Sequence, residues 1–173
     1  GLPVFPVYFE NDDDALRKLG SDSRLTFTVP ADGEYLVRVR DVRGFQGDKY
    51  KYELSIRPPK PDFNIRVEGA GMTVNRASGK MFTLVADRID NFDGEIQLEI
   101  TGAPEGFYVP SPLTIQRGHL RAWGAVYAFP DAADPPSDAW NNVKITAKAK
   151  INGQEVTKQI GNLGQVKLAG EPK

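Results

Sequence analysis

The chain has no cysteine and a single histidine among its 173 residues. Without thiols there is no disulfide framework, no thiolate metal site and no cysteine nucleophile. With His119 alone, a histidine- or cysteine-based zinc or copper site lacks ligands. His119 follows Gly118 and stands in no nucleophile motif, so it reads as a turn residue rather than a catalytic base. No basic block occurs either. The 22 basic and 23 acidic residues leave a net charge of −1, and the electrostatic footprint of a nucleic-acid binder is missing. No apolar run approaches the ~20 residues that span a bilayer. Gly69-Ala70-Gly71 precedes no helical pattern, so there is no phosphate-cradling loop. No carboxylate pair stands in a recognisable apolar setting that would raise one pKa, and an enzyme is not expected; a hydrolase is kept only as a remote alternative. The start, Gly1-Leu2-Pro3-Val4, has neither an initiator Met nor a charged leader, and reads as a trimmed piece of a longer polypeptide.

What the chain does have is alternation. Residues 4–9 form a short apolar run broken by Pro6, which suits an edge strand or an extended arm. In residues 24–29, Leu25, Phe27 and Val29 share one face. In 34–42, Tyr35, Val37 and Val39 do the same. In 49–57, Tyr50, Tyr52, Leu54 and Ile56 oppose a row of charged and polar residues. A period of two over this length predicts strands with one buried face. Pro58-Pro59-Lys60-Pro61 then breaks the pattern. Consecutive prolines stiffen the backbone and cannot continue a sheet, so residues 59–61 are the expected linker.

The pattern restarts after it. Phe63, Ile65 and Val67 alternate, then Phe82, Leu84 and Ala86, then Ile96, Leu98 and Ile100. Shorter strands are expected at 107–109 and 113–115. A longer one is expected at 120–129, with the small residues Ala122, Gly124 and Ala128 on one face. Residues 143–151 run into Asn152-Gly153, a two-residue hairpin signal, and 156–160 returns. Seven or more strands at this spacing predict an immunoglobulin-like sandwich over 62–170. The fold class expected is therefore all-β, with two antiparallel β-sandwich modules at 1–58 and 62–170.

Polar residues crowd together in one place. Glu10, Asp12, Asp13 and Asp14 fall within five positions, and Asp22 follows. Clustered carboxylates with Asn11 and backbone carbonyls can supply the six to eight oxygens that calcium takes, at ~2.3–2.6 Å. The spacing is not that of an EF-hand loop. The alternative is a solvated acidic loop capping a helical turn through Ala15, Leu16 and Leu19, with Gly20 ending it. Aromatic residues offer a second candidate. Tyr50, Tyr52, Phe45, Trp123, Trp140 and Tyr127 could stack on a sugar or a peptide. Tyr50 and Tyr52 share a face with Leu54 and Ile56 and read as core. Phe45 and Trp140 lie in or beside polar loops and are the expected ligand contacts.

Residues 11–56 carry an order of motifs that resembles a family. The run N-D-D-D, then S-D-S-R-L-T-F-T-V-P-A-D-G-E-Y-L-V-R-V-R-D, then Y-K-Y-E-L-S-I looks like the C-terminal half of a bacterial pre-peptidase C-terminal (PPC) domain. The resemblance implies a partial jelly-roll-like module of a secreted or surface protein, non-catalytic and extracellular, periplasmic or cell-surface in location. It also strengthens the calcium reading, with Asp12, Asp13, Asp14 and Asp22 as ligands. The departure is that half the strands of such a sandwich are absent before Pro58. Residues 102–107, G-A-P-E-G-F, resemble a turn of bacterial Ig-like modules. The function implied is an accessory module binding a macromolecule, a protein or polysaccharide surface, or mediating adhesion. The rival is a structural spacer whose first sheet is completed by another chain or a missing segment.

Overall fold

The computed structural model describes residues 9–12 and 22–169. The chain divides into two compact units, Gly1–Pro59 and Lys60–Lys173.

The second unit is a two-sheet antiparallel β-sandwich. Its strands are β1 (Asp62–Glu68), β2 (Thr73–Val74), β3 (Ser78–Ile89), β4 (Ile96–Thr101), β5 (Phe107–Tyr108), β6 (Leu113–Ile115), β7 (Arg121–Ala128), β8 (Lys144–Ile151), β9 (Gln154–Gly161) and β10 (Lys167–Leu168), with a single 3-10 turn at Ala139–Asn142. One sheet has the order β1-β3-β7-β5 and the other β6-β4-β8-β9, while β10 and β2 form a small parallel pair. The alternation explains the layering. Phe63, Ile65, Phe82, Leu84, Ala122, Val126 and Ala128 turn inward from the first sheet. Ile96, Leu98, Ile100, Ile115, Ile145 and Ala147 meet them from the second. Asn152 and Gly153 both take positive φ, 49° and 81°, and close the β8–β9 hairpin. Both central residues of a type I′ turn require that sign.

The inner face of β7 is lined with small residues because the opposite strand is not. A Cβ at Gly124 would lie 2.3 Å from Phe82 Cζ and 2.8 Å from Leu113 Cδ1. The Phe82 ring, fully buried, fills the volume that a larger β7 residue would take. The two aromatic side chains of β7, Trp123 and Tyr127, point away from the core.

Two polar clamps hold the sandwich at its margins. Arg88 on β3 donates from Nε to the His119 carbonyl at 2.9 Å, from Nη2 to Gln116 at 2.9 Å and from Nη1 to Gly94 at 2.6 Å. It also lies over the Phe92 ring. Lys158 on β9 pairs with Asp62 on β1 at 2.6 Å, donates to the Phe63 carbonyl and covers the Phe63 ring. Burial pushes the Asp62 carboxyl up, but the Lys158 hydrogen bond, the Phe63 backbone and the Lys158 charge outweigh it. The net result is a pKa below the ordinary value. Where the chain enters β1, the Lys60 amide donates to Asp90 Oδ2 at 2.7 Å, just past the end of β3.

In the first unit the expected strands at 24–29, 34–42 and 49–57 are not formed among the described residues. Leu25, Val29, Tyr35, Val37, Val39, Tyr50, Tyr52, Leu54 and Ile56 were expected to face a core. They are instead between 46% and 75% exposed. The correction has a structural cause. These segments supply one apolar layer, and a sandwich needs two facing layers before strand pairing becomes stable. What packing exists is local: Phe27 sits between Phe9 and Tyr35, with ring centroids 4.6 and 5.3 Å away. The edge strand expected at 4–9 and the helical turn at 15–20 lie outside the described residues, apart from Phe9.

Candidate functional site

The acidic loop is described only at its neck. Asn11 Nδ2 donates to Ser23 Oγ at 3.2 Å, and Ser23 Oγ donates to the Asn11 carbonyl at 2.9 Å. This closure sets Asp12 and Asp22 as the next residues inward on the two arms, and both are exposed. Asp13 and Asp14 lie outside the described residues. Among the described residues, no group of three or more His, Cys, Asp or Glu gathers as a metal centre. Glu10 is turned elsewhere: its Oε1 accepts from Arg40 Nη2 at 2.6 Å.

Phe45 is half exposed, as expected of a loop residue. Asp41 shapes that loop by accepting from the amides of Arg43 and Phe45 through Oδ1. The Phe45 ring stacks on Tyr50, with centroids 5.4 Å apart and planes 9° from parallel. The two rings form a small exposed pair, so Tyr50 belongs with the loop rather than with a core.

Trp140 requires a correction. It is not a surface contact but 1% exposed, in the 3-10 turn beneath Phe107, whose ring meets it edge-on at 5.1 Å. Its indole N–H is buried without a protein acceptor. The polar loop beside it in sequence does not expose it, because Trp140 belongs to the hydrophobic core of the sandwich. His119 is a turn residue as expected. Its amide donates to the Gln116 carbonyl, and its own carbonyl is held by Arg88.

The other tryptophan is the exposed one. Trp123 on β7 is 60% exposed. Its neighbours on the outer face of the first sheet follow from the register. Thr83 lies beside Trp123, Met81 beside Ala125, and Gly79 beside Tyr127. Tyr108 flanks Tyr127 from β5. Phe129 then meets the Tyr127 ring edge-on at 5.5 Å. Met81, Tyr108, Trp123 and Phe129 are all exposed and Tyr127 partly so. Polar groups border the Trp123 end. Glu68 pairs with Thr83 in the ladder, while Arg66 and Arg121 flank Val85. Arg66 and Glu68 form an ion pair.

The opposite outer face, on the second sheet, has another character. Gln97, Glu99, Thr146, Lys148, Thr157 and Gln159 cover it, and Lys148 Nζ reaches the Glu99 carboxylate at 3.0 Å. One face of the sandwich is built for water and the other carries an apolar patch. The sequence contained the signal. Small residues alternating through 121–128 mark the crowded inner face, which leaves Trp123 and Tyr127 outside.

These features define the second unit as a β-sandwich with one aromatic outer face. No protein-family model matches the chain, and no curated protein matches it. A remote structural neighbour is a crystal structure of domains 4 and 5 of the S-layer protein SbsC. It has a TM-score of 0.34 and 14% identity, and the match covers 65% of this chain and 54% of that one. The chain thus spans about half the length of that structure, and a likeness this slight carries no functional argument. Among the described residues, no helix is long and apolar enough to cross a membrane.

Proposed function

We propose that the chain is a non-catalytic accessory module of an exported or surface-located bacterial protein, and that it binds a macromolecule through the outer face of β3, β5 and β7. The observation that carries this reading is the exposed row of Met81, Trp123, Tyr127, Tyr108 and Phe129 on the outer face of one sheet. Side chains of this type on a water-facing surface mark interaction sites when they are contiguous. The motif order in residues 11–56 supports the exported, bacterial part of the reading. The shallow depression lined by Asp93, Gly94, Glu95, Arg117 and Lys150 is open, and of its two acids Asp93 is paired with Arg117 at 3.2 Å.

The test is retention of the purified chain on bacterial cell-envelope material. Wild type is retained, and Trp123→Ala is released with at least a five-fold loss. Equal retention of both would remove the aromatic face from the reading.

A spacer role is favoured by a different observation: the alternating apolar residues of 24–57 stand exposed. A second chain or another segment would complete that layer. A mass by light scattering above that of one chain, reduced by Leu54→Lys, supports the spacer. A monomeric mass for wild type rejects completion by a second copy. Calcium at Asp12, Asp13, Asp14 and Asp22 is part of the proposal as a stabilising ion for the first unit. The neck closed by Asn11 and Ser23 fits such a loop.

A further inference from the structure

We infer that the aromatic face takes a polysaccharide chain, laid along β7 and stacked on Trp123 and Tyr127. This rests on the binding reading above and names its ligand class.

Area argues first. The five apolar side chains expose roughly 400–600 Å² together, taking about half of the surface that large side chains of this type present. That is the size of a functional patch on a monomer. A standard protein interface takes ~800 Å² of polar and apolar surface together from each partner, so shape and spacing decide what the face takes. Shape argues second. Protein hot spots sit in desolvated pockets ringed by other contacts. This face is open sheet with no recess. Tyr127 lies over Gly79, where a built Cβ would be 3.9 Å from the ring, and Ala125 leaves a low saddle between the two aromatic ends.

A pyranose ring has one face of C–H bonds and a rim of hydroxyls. It wants a flat apolar ring beneath it and donors and acceptors at its edge. Trp123 and Tyr127 are four residues apart on one face of a strand, about 13 Å, which is roughly the span of two to three linked sugar rings. Thr83 lies beside Trp123, and Arg121, two residues along β7, and Glu68, next to Thr83 on β1, border the same end. They can both donate to and accept from hydroxyls. Beneath the platform, Gly124 packs closely against the Phe82 ring, which supports the strand from the core side.

The molecule contains its own reporter. Of its two tryptophans, Trp140 is buried and Trp123 is the exposed one. The experiment uses the full chain, first on envelope material and then on the same material after protease digestion and lipid extraction, which leaves polysaccharide. Soluble β-glucan and alginate are titrated in parallel while acrylamide quenching of tryptophan is followed. The expected result is retention undiminished on the polysaccharide fraction, at least a five-fold loss in Trp123→Ala and in Tyr127→Ala, and at least a two-fold fall in quenching with one of the soluble chains. In Trp123→Ala the remaining emission is that of Trp140 alone, and its unchanged spectrum shows that this variant is folded. Retention that disappears after the digestion and extraction overturns the polysaccharide inference and assigns the partner to the removed protein or lipid, while the binding reading survives. Retention on neither fraction overturns both. Retention on the polysaccharide that ignores both substitutions places the ligand elsewhere and also overturns the inference.

Discussion

Replacing Gly124 by alanine tests whether the inner face of β7 is as full as its contacts say. The backbone does not forbid the change, because only the space beneath it is crowded. Two effects compete. Alanine removes conformational freedom from the unfolded chain, which stabilises by about 0.4–1 kcal/mol at a compatible site. Against this, the new methyl would sit 2.3 Å from Phe82 Cζ and 2.8 Å from both Phe82 Cε1 and Leu113 Cδ1. Phe82 is 1% exposed, so its ring has no solvent to retreat into. Overpacking of this kind costs about 1–3 kcal/mol. The clash wins, with a net loss of about 1–2 kcal/mol and a fall in Tm of roughly 4–8 °C for a unit of this size. The assay is a thermal melt followed by tryptophan emission, which reports on the sandwich because both Trp123 and Trp140 lie in it. Phe82→Leu combined with Gly124→Ala should recover part of the loss, giving a favourable coupling of about 0.5–2 kcal/mol. A Tm equal to or above wild type in the single variant would refute the packing argument.

Asp62→Asn should lower the stability of the sandwich near neutral pH but not in acid. The folded pKa of Asp62 is depressed below 3.8 by Lys158 and the Phe63 backbone. Its contribution is therefore present above the unfolded value and disappears as pH falls through the folded one, so urea midpoints of wild type and variant should converge at low pH. The effect is small, because the Asp62 carboxylate is 41% exposed. Arg88→Met should cost about 0.5–1.5 kcal/mol by removing its bonds to the Gly94, Gln116 and His119 carbonyls and should speed hydrogen exchange at the Gly118 and His119 amides; unchanged exchange would show that the two turns stand without it. A melt in EDTA and then in calcium tests the acidic loop. A saturable rise in Tm, abolished by Asp13→Ala with Asp14→Ala, supports a bound ion, and an indifferent melt leaves only a solvated loop.

The sandwich of the second unit was legible in its residues. β1, β3, β4 and β8 fall where the alternation placed them, and Asn152-Gly153 makes its hairpin. β2, two residues long, carries no pattern that a two-fold period can detect. The first unit misled because alternation reports which side chains want to be covered, not whether anything covers them. Trp140 misled for a related reason: the polar residues beside it in sequence suggest exposure, although burial depends on neighbours in space. Trp123 stands among the six aromatic candidates for stacking, and the alternation of small residues in its strand does not by itself say which face is covered. The Phe82 ring, forty-odd residues earlier in the chain, crowds the face of Gly124 and leaves Trp123 on the other.

The pin between the Lys60 amide and Asp90 fixes where a pull on the sandwich would act. The chain arrives at the Ile89 end of β3, and β10 leaves beside Val74, close to the Ser78 end. A pull between residues 60 and 169 thus runs along the strands. It loads all seven residue pairs between β1 and β3 together in shear, instead of unzipping them one by one. Single-molecule stretching along that axis should need more force than pulling across the β8–β9 hairpin. In a chain under tension the aromatic face would then keep its shape while softer segments give way.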